Sequence, residues 1–196
     1  MKKIILTAAA IFAFGFANAQ DMKENKGEGF SKGDVFVTGA LEISSEKTGA
    51  TKDNTFKFEP QLGFFVTENI ALGAKIGIGS QKQKVGSITT IDNSSFTGGV
   101  FGKYYFTPAS KFSLFTNLGI DLTSTKNKLT NFKEKGVEVG LGAGLNYFIS
   151  NNFAIEAGIG VLSFASNDNG GSGSKTNTFE FGSDWRAVTI GVSYKL

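Results

Sequence analysis

"GVEVGLGAGLNYFISNNFAIEAGIGV", residues 136–161, alternates strictly on both sides of Ser150-Asn151-Asn152. Val137, Val139, Leu141, Leu145 and Tyr147 fall on one face of the first arm; Glu138, Gly140, Gly142, Gly144 and Asn146 fall on the other. The second arm repeats the plan, with Phe153, Ile155, Ile159 and Val161 against Glu156, Gly158 and Gly160. A period of two means strands, and a short polar break between two such arms means a hairpin. The chemistry is unusual in that carboxylates share a face with glycines while the large apolar groups stand opposite.

The same alternation runs through the rest of the chain. Further segments are expected at about 34–44, 54–66, 70–80, 94–106, 111–123 and 184–196, which makes eight in all. Short connections follow the second, fourth and sixth segments, at 67–69, 107–110 and 150–152. Long polar ones follow the others, around 45–53, 81–93, 124–135 and 165–183. The stretches "FFVTENIALGAKIGIG", "YYFTPASKFSLFTNLGI" and "NYFISNNFAIEAGIGV" share one plan and recur about every 40 residues, each being a two-strand unit. A meander of hairpins fits them. Pro60 falls on the apolar face of the second segment, where a lost ladder bond predicts either a bulge or a register shifted by one residue.

The first residues read differently. Met1-Lys2-Lys3 is a basic start, 4–16 is an apolar run, and Ala17-Asn18-Ala19 is a small-x-small site. Residues 1–19 are therefore expected to be a cleaved signal peptide, too short in its apolar core to span a bilayer as a helix. Residues 20–33 are polar and glycine-containing and are expected to form a flexible lead-in. The remaining 34–196 form the barrel domain.

Two arrangements satisfy the alternation. In a soluble barrel the apolar face points inward, and the glycines then lie on the solvent face, where they weaken strands without a return. In a membrane barrel the apolar face meets lipid, and eight strands enclose a lumen that side chains fill. The inward set is then Glu42, Lys57, Glu59, Lys75, Lys103, Asp121, Glu138, Glu156 and Lys195, nearly neutral, which points to a paired charge network rather than a selective pore. Lys75 is expected beside Gln61 and diagonal to Glu59. Aromatics beside the short turns (Phe64, Tyr104, Phe106, Phe112, Tyr147, Phe153, Tyr194) form an interfacial belt at one rim. Segments of about 11–13 residues suit a tilted membrane strand, which needs about 9–11.

Composition narrows the chemistry. The 196 residues include no Cys and no His, 26 Gly, 2 Pro and 20 Phe. Without His or Cys the usual general base, the commonest metal ligand and the thiolate nucleophile are missing. No enzyme activity, cofactor or metal is expected, and Glu138 and Glu156 read as lumen fillers rather than an acid–base pair. Glycines at 136–144 and 158–160 alternate within strands, so they are not phosphate loops. Asn167-Asp168-Asn169-Gly170 lacks the spacing and closing Glu of a calcium loop. Loss of Lys2 and Lys3 lowers the formal charge from +3 to about +1, no basis for nucleic-acid binding.

A signal-like start, eight alternating strands and a terminal "VTIGVSYKL" resemble the small outer-membrane β-barrel proteins of the OmpA-barrel and OmpX type. Tyr194 matches the aromatic those proteins carry near the end of their last strand; Leu196 departs from the terminal aromatic. The resemblance implies an antiparallel, up-and-down transmembrane barrel in a Gram-negative outer membrane, inserted by the barrel-assembly machinery, with short periplasmic turns and long extracellular loops. No second, peptidoglycan-binding domain is expected. Three function classes stay open. The first is a non-enzymatic structural or surface-interaction barrel, monomeric, whose loop lysines (Lys47, Lys52, Lys82, Lys84, Lys126, Lys128, Lys133) meet lipopolysaccharide phosphates. The second is an OmpW-type channel for small hydrophobic solutes, hinted at by Phe101, Phe115, Phe148, Leu162 and Phe164 on the inward register. The third is a soluble periplasmic, lipocalin-like ligand carrier with the faces inverted.

Overall fold

The computed structural model describes residues 27–171, 173, 175–182 and 188–196. The expected signal peptide, 1–19, lies outside them. Among the described residues nine strands run in chain order: β1 (Val35–Thr48), β2 (Thr51–Phe65), β3 (Ile70–Val85), β4 (Ile88–Tyr105), β5 (Phe112–Asn127), β6 (Lys133–Phe148), β7 (Phe153–Asn167), β8 (Thr176–Phe181) and β9 (Thr189–Lys195). Each pairs antiparallel with its sequence neighbour through β7, and β9 pairs with both β7 and β1, closing an eight-stave barrel. The eighth stave comes in two pieces: β8 lies along the upper half of β7 and β9 along the lower half. The single strand expected at 184–196 is thus described only from 188 onward, and residues 184–187 lie outside the described set.

Large apolar side chains point outward all round the barrel. Leu41, Leu62, Leu72, Val100, Leu118, Leu141 and Val192 are each exposed. The buried core lies inside, at the end that carries the short turns, and it is aromatic. The apolar face is therefore the outer wall, which rules out the inverted arrangement of a dry-cored soluble barrel.

Three expectations need correction. The long polar connections are mostly strand. β1 and β2 meet through Gly49-Ala50, and β3 and β4 through Gly86-Ser87. Both glycines have positive φ, 61° and 59°, as two-residue hairpins require. Polarity misled the reading: backbone ladders form whatever the side chains are, so a stave continues above the apolar band as polar strand. The bulge expected at Pro60 is absent, because Pro60 pairs with Gly39 of β1 and the β2–β3 register is unchanged on either side of it. Only the ladder at Glu59 and Pro60 is interrupted. Bulges occur instead at Gln83/Lys84 and at Leu141/Gly142, where Val161 is the extra residue of β7. The second bulge reverses the faces of β7 beyond it. Leu162 and Phe164 pair with Leu141 and Val139, and Phe164 stands exposed on the outer wall rather than in the lumen.

The third correction concerns the lead-in. Residues 27–33 are seated in the turn end of the barrel. Phe30 is 1% exposed, and its backbone N–H donates to Pro108 O at 2.7 Å. An aromatic ring in an otherwise polar stretch gains more by entering an apolar site than by staying in water.

Candidate functional site

The lumen is built in layers, from the turn end upward. The floor is a cluster of rings. Phe30 sits at its centre, with ring centroids 4.7 Å from Phe65, 4.8 Å from Phe148, 5.3 Å from Phe36 and 5.5 Å from Tyr105. All five are at most 1% exposed. Phe65, Tyr105 and Phe148 are the second members of the doublets Phe64-Phe65, Tyr104-Tyr105 and Tyr147-Phe148. Alternation sends the first ring to lipid and the second into the lumen. Those doublets are the sequence signal for the floor; of their inward halves only Phe148 is among the expected lumen residues, and Phe65 and Tyr105 are not. Tyr104 and Phe106 on the outer wall lie 5.3 Å apart, and Phe153 and Tyr194 lie 4.7 Å apart.

Glycines opposite the inward rings have a steric reason. A methyl group at Gly63 would run into the Phe36 ring, one at Gly73 into Phe101, and one at Gly144 into Phe115. One at Gly99 would strike the Asp121 carboxylate. The glycines are seats for lumen side chains, aromatic near the turns and charged above them.

Above the floor, Lys103 and Glu156 form a buried ion pair. The Lys103 ammonium also stands over three rings, 4.8 Å from Phe115, 5.4 Å from Phe101 and 5.7 Å from Phe36. A desolvated ammonium gains most from such faces. Higher still, Lys75 bridges Asp121 at 2.8 Å and Glu59 at 3.1 Å and stands opposite Gln61. Glu138 lies in register with Asp121 across β5–β6 and has no ion-pair partner among the described residues. Lys57 lines the same space. Glu42 stands in register with Lys57; its side chain lies outside the described residues. Lys195 is elsewhere: its ammonium donates to Gly29 O at 2.6 Å and Gly27 O at 3.1 Å, and it stands 5.3 Å from the Phe148 ring. It holds the N-terminal segment. A cavity of about 790 Å³ lies above the rings and is lined by polar groups of every stave.

The outer wall carries a second arrangement. Going up from the apolar band, each of five staves passes through one small polar residue: Ser45, Asn54, Ser80, Ser94 or Ser124. Next comes Lys47, Lys52, Lys82, Asp92 or Lys126, on the same outward face. Lys84, Lys133 and Lys135 continue this rim. Lys47 is paired with Lys52, Lys52 with Lys84, and Lys126 with Lys133, so three like-charged pairs face each other across strands. Asp92 takes Lys128 at 3.3 Å and Lys82 at 3.6 Å. Lys135 is not among the expected loop lysines, and it joins the rim because β6 begins at Lys133. Its own N–H donates to Asp168 at 2.8 Å, and that bond, with a second from the Gly170 N–H, holds the Asp168 carboxyl below the usual carboxylate range.

A closed barrel with an apolar exterior, an aromatic girdle and a polar interior is a transmembrane β-barrel. The model of the outer membrane protein beta-barrel domain matches residues 6–186, and the chain belongs to that family. It is a barrel of the Gram-negative outer membrane. Neisserial surface protein A and the outer membrane protein AlkL share the fold. Neisserial surface protein A is 15% identical, with 83% of this chain and 97% of that one covered at a TM-score of 0.50. The outer membrane protein AlkL, solved in lipid bilayers, is 14% identical over 89% and 97% at 0.50. Escherichia coli outer membrane protein W is 15% identical over 85% and 99% at 0.49. No curated protein sequence matches the chain.

Proposed function

We propose that this is a non-enzymatic barrel with a structural and surface-interaction role, sealed at its turn end, which engages phosphate groups of the outer-leaflet glycolipid through its lysine rim. The carrying observation is the set of cross-strand lysine pairs immediately above the apolar band. Like charges directly opposite each other destabilise a sheet. The arrangement is tolerable where a polyanionic surface supplies the counter-charge, and the headgroup layer of lipopolysaccharide is such a surface. The same reading orients the barrel with its short turns in the periplasm. It carries with it a signal peptide cleaved before Gln20, insertion by the barrel-assembly machinery, and a monomeric barrel.

Replacing Lys47, Lys52 and Lys84 together by Gln tests it. Binding of the folded barrel to vesicles with phosphorylated lipid A should fall and lose its salt dependence. Binding to dephosphorylated lipid A should be weak for both forms. Equal binding of the two proteins to phosphorylated lipid A would refute the reading.

The channel for hydrophobic solutes is the weaker alternative. Phe164 leaves its proposed lining, Phe148 is part of the sealed floor, and the open space above carries five carboxylates and three ammonium groups.

A further inference from the structure

The floor of the lumen has two kinds of part. Phe36, Phe65, Tyr105 and Phe148 are mounted on β1, β2, β4 and β6. Phe30, the ring that touches all four, comes from a segment outside the ladders. Among the described residues that segment is tied by Phe30 N–H to Pro108 O, Gly33 N–H to Phe65 O at 2.9 Å, Ser31 N–H to the Asp34 carboxylate at 2.8 Å, Asp34 N–H to Ser31 O at 3.1 Å, the Lys195 ammonium to two carbonyls, and Lys111 to Glu28 at 2.9 Å on the exposed side. Gly29 and Gly33 flank Phe30 with φ of 108° and 91°, backbone that other residues rarely adopt. A side chain at Gly29 would also collide with the backbone of Pro108 and Ala109. The path into the floor is therefore bent twice, at glycines, around one ring.

We propose that residues 27–33 are a removable cork: hinged at Gly29 and Gly33, they hold Phe30 as the closing piece of a lumen that, once opened, passes small hydrated cations. The proposal rests on the reading of the intact barrel as sealed. The wall-mounted rings leave the axis to Phe30, and withdrawal of that ring joins the periplasmic face to the cavity above. Cations are favoured there because carboxylates outnumber ammonium groups along the lining and Glu138 has no ion-pair partner among the described residues. Lys195, buried against the segment's carbonyls, serves as the latch.

The test is conductance of the full-length barrel in planar bilayers, beside Phe30→Ala and a deletion of residues 27–33. Folding is read from heat-modifiable gel migration and circular dichroism. The intact protein should be closed. Both variants should show discrete steps, roughly tenfold above baseline, with a reversal potential favouring cations in a salt gradient. A synthetic peptide of residues 20–33 added on the turn side should close the deletion variant again. Folded variants as closed as the intact protein would overturn the cork, since the wall rings would then seal alone. Failure of both variants to insert would overturn it too, because the segment would then be part of the barrel's framework. An intact protein as open as its variants would instead refute the sealed reading, and the intact arm alone reports that.

Discussion

The two ends of the barrel use the same strand alternation to opposite effect. At the turn end, inward positions carry rings and a buried Lys103–Glu156 pair, and outward positions carry a second set of rings. At the loop end, inward positions carry partly exposed charges around open space, and outward positions carry lysines. One end is dry and tightly packed; the other is wet and charged. An ion pair at the dry end has been taken out of water and depends on its partner, whereas one at the wet end is backed by solvent.

The largest expected effect follows from that difference. Lys103→Met leaves Glu156 buried without its ammonium and should cost about 3–5 kcal/mol. Adding Glu156→Leu should recover most of the loss. Urea unfolding in lipid vesicles measures both, and a single variant as stable as the parent would dissolve the distinction between the ends. Next is the upper border of the apolar band. Leu118→Arg on β5 should cost about 2–4 kcal/mol, while Ser124→Arg, higher on the same face, should cost about 0–1. Similar penalties at the two positions would mean that the lipid reaches higher than the serine row. Lys75→Met sharpens the comparison from the wet end. Its two carboxylates remain partly exposed, so the loss should be about 1 kcal/mol, well below that of Lys103→Met.

The smallest effect is a pH response confined to the loop end. Asp168 accepts the N–H groups of Lys135 and Gly170, which lowers its pKa from the ordinary 3.8. A carboxyl with a lowered folded pKa contributes its full stabilisation above the ordinary value and loses it as pH falls through the lowered one. The Lys135 and Gly170 amide resonances should therefore shift together below about pH 4, with those of Phe30 and Phe65 unmoved. Movement of the floor resonances in the same titration would couple the two ends.

How legible this was depended on the kind of residue. Alternation exposed the outward face from Val35 to Tyr194, because one buried or lipid-facing side of a strand leaves a period of two whatever its partner. It also exposed the charged inward set as a set. It could not say which charge meets which. Glu59 and Asp121 converge on Lys75 from two different strands, and Lys195 turns out to face the N-terminal segment. The strands within the long connections are hidden by their polar composition, because the backbone ladder forms whatever the side chains are. The lysine rim is hidden in the sequence for a related reason, since a row across β1, β2 and β3 exists only once those strands are paired.

By itself the sequence determined the period, the face that meets lipid, the number of staves and the export-like start, all of them properties local to a few residues. Tertiary structure alone decided the bulge at Val161 that turns Phe164 outward, the convergence of rings from four strands, and the docking of Phe30 among them. Those depend on register and on contacts between residues far apart in the chain. A one-residue slip reverses every face beyond it, and a ring in a polar stretch carries no local mark of the pocket that will bury it.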